Sequence, residues 1–492
     1  MARAKQEATQ SKDPYPSQCS YLIAFHQVFG ARPSQQCLVQ LQQMPVSPSR
    51  AAAFDILLRV ERENSYASEL LHSAAYDKLS RPDHALATEI VMGVLRWRSR
   101  LDDEIADAAS QPLRKLDLEV LTALRLAVYQ FGFLDRIPPR AALNESVELV
   151  KRARKRSAAP FVNAVLRKLS LSEPLCAPVA NSSSPEEIAN VWAHPEWLVE
   201  RWTNDYGKVA TEKICRYNQS TPKTTVRLRD LNAERELTTE GISLAPGAFL
   251  SSARRLESGD ITRTKAFRER RVVIQDEGSQ LVATLVGRVE KKDARILDCC
   301  AAPGGKTLAI CDNNPSPDVT AVEIHPHRAR LMQKLLGTNE STRIKIVAAD
   351  ATNLPVSVRF DRILTDVPCS GTGTLARNPE IKWRLKPEDL PELHDRQLAI
   401  LRSALAQLAS GGRLVYSTCS LEKEENENVI EQVLAENASV RLADCRIGLD
   451  RLKATGDLIW PKPESLTRGP YLRTIPGVNP CDGFFAAILE KV

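Results

Sequence analysis

Cys369 in DVPCSGTG and Cys419 in YSTCS stand in similar surroundings. Each follows an apolar run that reads as a strand, so both side chains are expected at the same end of a parallel sheet, facing one crevice. A buried cysteine usually acts as a small hydrophobe, but packing does not require equivalent placement after successive strands. A thiolate is the strong nucleophile that an unreactive ring needs. Cytosine is such a ring, because its C5 is too weakly nucleophilic to take a methyl group directly. Thiolate attack at C6 turns C5 into an enamine carbon that can accept one. After transfer a base removes the C5 proton and the thiolate leaves. This chemistry needs a nucleophile, an acid near the ring N3 and a methyl donor held alongside; Asp366 is expected to contact the ring near N3 or to hold the donor next to it.

Four acids fall where strands end or turn: Asp298, Glu323, Asp350 and Asp366. Each alone reads as a turn or helix cap, whereas together they trace the edge of one crevice. A carboxylate after the second strand suits ribose hydroxyls, which assigns Glu323; one after the third suits an adenine amino group, which assigns Asp350. The stretch 296–307, ILDCCAAPGGKT, reads as a strand, a tight turn through Pro303, Gly304 and Gly305, and a helix start. Glycines there let a ligand approach the backbone, and free N–H groups at the helix start favour an electron-rich ligand group. A phosphate-binding P-loop is excluded, because Cys300 stands where its first glycine is required. The paired glycines do not supply a dinucleotide fingerprint either, which counts against NAD. A nucleotide-like ligand remains, for which S-adenosylmethionine is a candidate once the strand-end acids are counted.

These residues need a sheet to carry them, and from residue 272 the chain alternates strands and helices. Strands are expected at 294–298, 319–324, 345–349, 360–365 and 413–417, with helices at 326–336 and 393–408. That order predicts an α/β catalytic domain at 272–492, Rossmann-like with a mostly parallel sheet. The run GFFAAIL at 483–489 has no helix after it and is expected to insert antiparallel.

Upstream, apolar residues recur at helical spacing over 50–169, which predicts an all-α domain at 50–170. Its basic stretch, Lys151, Arg152, Arg154, Lys155 and Arg156 followed by Arg167 and Lys168, reads either as a solvated face or as a phosphate-contacting patch. Residues 171–184 are rich in Ser and Pro and read as a linker. A small α+β module is expected at 185–271, with strands at 224–228 and 241–250. Trp192, Trp197 and Trp202, with Arg216, Lys223, Arg227, Arg229, Arg263, Lys265 and Arg268, suit RNA by composition, although tryptophans more often build cores. Residues 1–49 are expected to form a disordered extension, and Met44 lies just before the first periodic segment.

With 492 residues, of which 43% are apolar, the chain is long enough for two or three cores. It has neither a bilayer-spanning apolar run nor a compact secretory h-region, which predicts a cytoplasmic protein with no membrane partner. Eleven cysteines without C-x-x-C pairs match neither a disulfide framework nor a zinc site, so no metal is expected. The net charge of +6 is compatible with nucleic acid without establishing it.

The segments DCCAAPGGKT, TDVPCSGTG and YSTCSLEKEEN resemble the motifs of the RNA cytosine-5 methyltransferases. The match is specifically to the bacterial Sun/Fmu (RsmB) family, which acts on small-subunit ribosomal RNA. The helical segment 50–169 is similar to that family's NusB-like N-terminal domain, so the resemblance covers 50–492. It implies that Cys419, in the TC motif, is the nucleophile and that Cys369, in the PC motif, assists product release. It also implies donor binding by Cys300, Ala301, Ala302, Pro303, Gly304, Gly305, Lys306, Glu323, Asp350 and Asp366. The chain departs from the pattern at Val367, where a small residue is usual, and at Gly477 and Val478, where histidine is frequent. The expectation is a monomeric, S-adenosylmethionine-dependent enzyme that methylates C5 of a cytosine in 16S ribosomal RNA through a Cys–C6 adduct. The alternatives are a transfer RNA enzyme with the same chemistry and a non-catalytic RNA-binding or antitermination factor. A NusB-like domain speaks against the first, and the second has no use for two crevice cysteines.

Overall fold

A computed structural model describes residues 46–171, 184–291, 293–315, 317–340, 343–354 and 358–492. The extension expected at 1–49 lies outside the described residues up to position 45, and the linker expected at 171–184 lies outside them over 172–183.

The chain opens with helices Pro48–Glu63, Ala67–Leu71, Arg81–Ala108, Leu118–Phe133, Pro139–Arg152 and Ala159–Leu169. Local chemistry sets their starts. Pro82 lies in the first turn of Arg81–Ala108, and the Ser80 hydroxyl accepts a hydrogen bond from Asp83 N at 3.2 Å. Down the same helix Ile90, Val94, Leu101 and Ile105 are buried, the stripe that 3.6-residue periodicity predicts. They share one core with Ile56, Leu124, Leu149 and Val162.

The segment expected as one α+β module divides between two cores. Helices Pro185–Val191, Glu196–Tyr206 and Lys208–Asn218 join the helical core through Trp192, Trp202 and Ile214. Trp202 is completely buried and Trp197 packs against the same cluster. Trp192 and Trp202 therefore build the core and offer no stacking platform for bases.

The rest of the module is a βαββαβ unit. Strands β1 (Thr225–Leu228), β2 (Ser243–Pro246), β3 (Ala253–Ser258) and β4 (Val272–Ile274) form an antiparallel sheet in the order β2-β3-β1-β4. Helices Ala233–Thr239 and Lys265–Arg268 connect them, and Val226, Leu228, Leu237 and Ala266 fill a separate small core. Because β4 pairs with β1, residues 272–274 belong to this sheet and not to the catalytic unit in which the sequence reading began. Arg227 and Arg229, counted above among RNA candidates, both bond to Asp312, tying the small sheet to helix Gly305–Asn313.

The catalytic unit is built on β5 (Arg295–Asp298), β6 (Asp318–Glu323), β7 (Ile344–Ala348), β8 (Phe360–Asp366), β9 (Leu408–Thr418), β10 (Val440–Ala443), β11 (Thr467–Arg468), β12 (Tyr471–Thr474) and β13 (Phe484–Lys491). Strands β9-β8-β5-β6-β7 are parallel neighbours. As expected, β13 pairs antiparallel with β9. Strands β10, β11 and β12 escaped the sequence reading, since two to four residues carry no readable alternation.

The helical unit grips the catalytic unit beside both cysteines. After Cys369, Glu380 accepts from Ala67 N at 2.9 Å and Trp383 Nε1 donates to Leu95 O at 2.6 Å. Arg384 donates to the carbonyls of Val60, Asn64 and Ser65. The fully buried Lys382 donates to the carbonyls of Arg96 and Ala193 at 2.9 and 2.6 Å. Burial holds its ammonium well below the ordinary lysine range. After Cys419, Arg201 and Trp202 bond Glu422 at 2.9 and 3.0 Å, and Tyr206 Oη donates to Leu421 O at 2.5 Å.

Candidate active site

The turn after β5 is pinned from both sides. Cys299 N donates to Leu364 O on β8 and Ala301 N to Val322 O on β6, each at 2.9 Å. Cys300, Ala301, Ala302, Pro303 and Gly304 then lead into helix Gly305–Asn313, and the Ala302–Pro303 peptide is cis. Gly304 has φ +106°, a conformation that a side chain would strain, and an added Cβ would lie 3.3 Å from Met332. Asp298, at the end of β5, accepts from Thr307 Oγ1 at 2.7 Å on one oxygen. Its other oxygen is buried without a partner among the described residues. Burial pushes this carboxyl up to about 7, with the Thr307 bond opposing and the Asp366 charge adding to the rise.

Glu323 ends β6, is buried, and accepts from His325 N at 2.9 Å. Asp350, beyond β7, is exposed and accepts from Thr352 N at 2.9 Å. The parallel register sets the ends of β5, β6 and β7 side by side, so Asp298, Glu323 and Asp350 lie along one edge of the sheet.

Asp366, at the end of β8, is not a lone carboxylate. Lys306 Nζ lies 2.8 Å from its Oδ2, and Ser417 Oγ donates to its Oδ1 at 2.7 Å. Burial alone would lower the Lys306 ammonium, but the Asp366 charge and hydrogen bond offset this and hold it above its ordinary value. The ammonium also lies 5.3 Å from the Phe484 ring centroid, a cation–π contact.

The expected cysteines meet. Cys369 Sγ and Cys419 Sγ are 3.4 Å apart, and both side chains are half-buried. The hydrogen bond to Cys419, burial, and the charges of Cys419 and Glu425 together push the Cys369 thiol well up. Either sulfur can be the donor of this contact. The Cys300 thiol also rises, through burial and the neighbouring charges of Asp298, Asp366 and Glu323, which suits a lining residue rather than a nucleophile.

Sequence reasoning missed the residues that align the two thiols: Ser370, Ser420 and Glu425, whose hydrogen bonds join the two loops. A signal was present, since both cysteines are followed by serine in DVPCS and YSTCS. Among the described residues no group of three or more His, Cys, Asp or Glu side chains could hold a metal ion. In the same residues no helix is long and apolar enough to cross a membrane.

Comparison with known proteins agrees with this organisation. Residues 287–490 match the family described as 16S rRNA methyltransferase RsmB/F, and residues 47–170 match the NusB family. Residues 194–261 match the ferredoxin-like domain of RsmF/B-like methyltransferases. The probable ribosomal RNA small subunit methyltransferase B of Bacillus subtilis is 34% identical over 90% of this chain and 98% of its own. The ribosomal RNA small subunit methyltransferase B of Vibrio cholerae is 31% identical over 90% of this chain and 97% of its own. The fold matches the crystal structure of PH0851 with a TM-score of 0.75 at 22% identity, over 91% of this chain and all of that one. It also matches NSun6 from Pyrococcus horikoshii, solved with SFG, with a TM-score of 0.51 at 20% identity, over 61% of this chain and 98% of that one. With its helical, ferredoxin-like and catalytic units in that order, the chain belongs to the RsmB/F family of 16S ribosomal RNA methyltransferases.

Proposed function

We propose that the protein transfers a methyl group from S-adenosylmethionine to C5 of one cytosine in 16S ribosomal RNA through a covalent bond between Cys419 Sγ and C6. The observation that carries this reading is the thiol pair at 3.4 Å, just beyond the ends of neighbouring strands β8 and β9, with Asp366 at the end of β8 paired to Lys306 from the helix after β5. The donor, when bound, supplies an electrophilic methyl group. Glu323 and Asp350 would hold its ribose and adenine, and residues 300–306 would line the remainder. The residues fit such a ligand, because Gly304 leaves the turn without a side chain and the unpartnered oxygen of Asp298 awaits a polar group.

Cys419 attacks C6, and negative charge develops toward N3. In the paired acid, Lys306 carries the proton that can be offered to N3, while Asp366 orients the ammonium and accepts from a ring amino group. A solvent base then takes the C5 proton, and the C5–H electrons form the C5=C6 bond. The C6–S bond breaks with its electrons returning to Cys419 as thiolate, and N3 gives its proton back to Lys306. Cys369, kept as a thiol beside that sulfur, donates a hydrogen bond to the departing thiolate.

Bisulfite sequencing of ribosomal and transfer RNA from cells with and without this protein tests the reading. One 16S cytosine should resist conversion only when the protein is present. Protection confined to transfer RNA, or absent altogether, overturns the substrate assignment.

RNA is the substrate class of the family, and the basic stretch on the helical unit is a candidate contact. Lys151 pairs with Glu148, Arg152 with Asp55 and Lys155 with Asp117, all on the surface. Such pairs are worth roughly 0–1 kcal/mol, so phosphates can displace the acids at little cost. Replacing Lys151, Arg152 and Arg154 together should weaken RNA binding and reduce its logarithmic salt slope by roughly 0.7–0.9 per lost contact. Titrations at several salt concentrations decide, and an unchanged slope would mark a merely solvated face.

A further inference from the structure

We propose that Glu425 is the positioning residue that holds Cys369 against Cys419 for the release step, an inference that rests on the cysteine chemistry above. Glu425 is completely buried, and hydrogen bonds fill all four acceptor positions of its carboxylate. Oε1 accepts from Ser370 N at 2.8 Å and from Gln397 Nε2 at 2.9 Å. Oε2 accepts from Ser370 Oγ at 2.5 Å and from Ser420 Oγ. Ser370 follows Cys369 and Ser420 follows Cys419, so one side chain ties both cysteine loops together. Gln397 also donates to Pro368 O at 2.9 Å, which extends the same grip to the residue before Cys369.

The two loops do not depend on this carboxylate equally. Next to Cys419, Thr418 Oγ1 donates to Asn426 Oδ1 at 2.5 Å and Asn426 Nδ2 to Ser420 O at 3.0 Å. Arg473 Nη1 donates to the same carbonyl at 3.1 Å, and Leu421 N donates to Thr372 Oγ1 at 2.9 Å. On the Cys369 side, both the amide and the hydroxyl of Ser370 bond Glu425, while the remaining bonds hold the loop at its ends: Val367 N donates to Ser417 O at 3.0 Å, Gln397 Nε2 to Pro368 O at 2.9 Å and Gly373 N to Cys419 O at 2.8 Å. Loss of the carboxylate therefore loosens Ser370, the residue next to Cys369, within a loop still held at its ends, while Ser420 beside Cys419 keeps its bonds to Asn426 and Arg473. The charge of Glu425 also contributes, after the Cys419 hydrogen bond and burial, to keeping Cys369 a thiol. A buried carboxylate without partners is costly, and four donors aimed at it make this one affordable.

The role predicts a particular defect. Full-length Glu425→Ala should still attack the RNA but should release it roughly 10- to 100-fold more slowly, the scale of a group misplaced by about 1 Å. A denaturing gel with labelled RNA and donor should then show trapped protein–RNA adduct, normalised to folded protein from a thermal melt. Glu425→Gln keeps the shape and an acceptor for Ser370 N, while the serine hydroxyls can rotate to accept from its amide. It should trap less adduct than the alanine variant and more than wild type, and it provides the reading if the alanine variant fails to fold. Adduct and product falling together, in proportion to unfolded protein, would make Glu425 purely structural and overturn the proposal. If even Cys369→Ala traps nothing, the cysteine chemistry itself fails and this inference with it.

Discussion

Cys369→Ala, incubated with target RNA and methyl donor, is expected to accumulate a protein–RNA adduct that survives denaturing electrophoresis, whereas Cys419→Ala is expected to form none. The expectation follows from the different roles proposed for the two sulfurs. Cys419 follows β9 in a loop anchored by Asn426, Arg473 and Thr372, a rigid mount for a group that must meet C6 at bonding distance. The Cys369 thiol is pushed well up by its hydrogen bond to Cys419, by burial and by nearby negative charge, which suits the donor role proposed for it at release. Without Cys369 the C6–S bond still forms, but the leaving sulfur has lost the S–H that stood 3.4 Å away. Without Cys419 there is no bond to trap. Serine at position 419 should not rescue turnover, because a hydroxyl is far less ionised at neutral pH than a thiol of ordinary pKa about 8.5. Adduct in Cys419→Ala and none in Cys369→Ala would reverse the two roles.

The sequence disclosed the two cysteines, the strand-end acids and the parallel sheet because each leaves a local mark: an apolar run, a turn residue and a motif within a dozen positions. What it hid is long-range. The contact of Glu380 with Ala67 spans 313 positions, and that of Lys382 with Arg96 spans 286, so no window of sequence shows that the helical unit braces the segment after Cys369. The tryptophans were ambiguous for the same reason, since the buried Trp202 indole finds its hydrogen-bond partner in Glu422, 220 positions away. Charge was misleading at Arg227 and Arg229, which composition offered to RNA and the fold commits to Asp312. Short strands such as β4 carry too few residues for a period, and only their pairing shows to which sheet they belong.

The same limit applies to Asp366, legible as a strand-end acid but not as half of an ion pair, and the pair sets a second large expected effect. Asp366→Asn keeps the shape of the side chain but removes the charge that holds the buried Lys306 ammonium above its ordinary value. Burial is then opposed only by the charges of Cys419 and Asp298, so the ammonium loses its proton more readily and the group proposed to serve N3 is weakened. Lys306→Met removes the proton outright. Each single variant should lower the single-turnover methylation rate by roughly 10²–10³, the scale of losing one preorganised group that stabilises developing charge. Adduct formation should fall in parallel, because the pair acts at the attack step. As the two side chains work as one unit, the double variant should be little worse than either single one, a non-additivity that a double-mutant cycle measures directly. The rates must be taken at saturating donor and RNA, with donor affinity measured separately by calorimetry, since Asp366 also lies beside the proposed donor site. A loss that appears entirely as weaker donor binding, with the saturated rate unchanged, would make Asp366 a donor ligand and remove the Lys306–Asp366 pair from the chemistry.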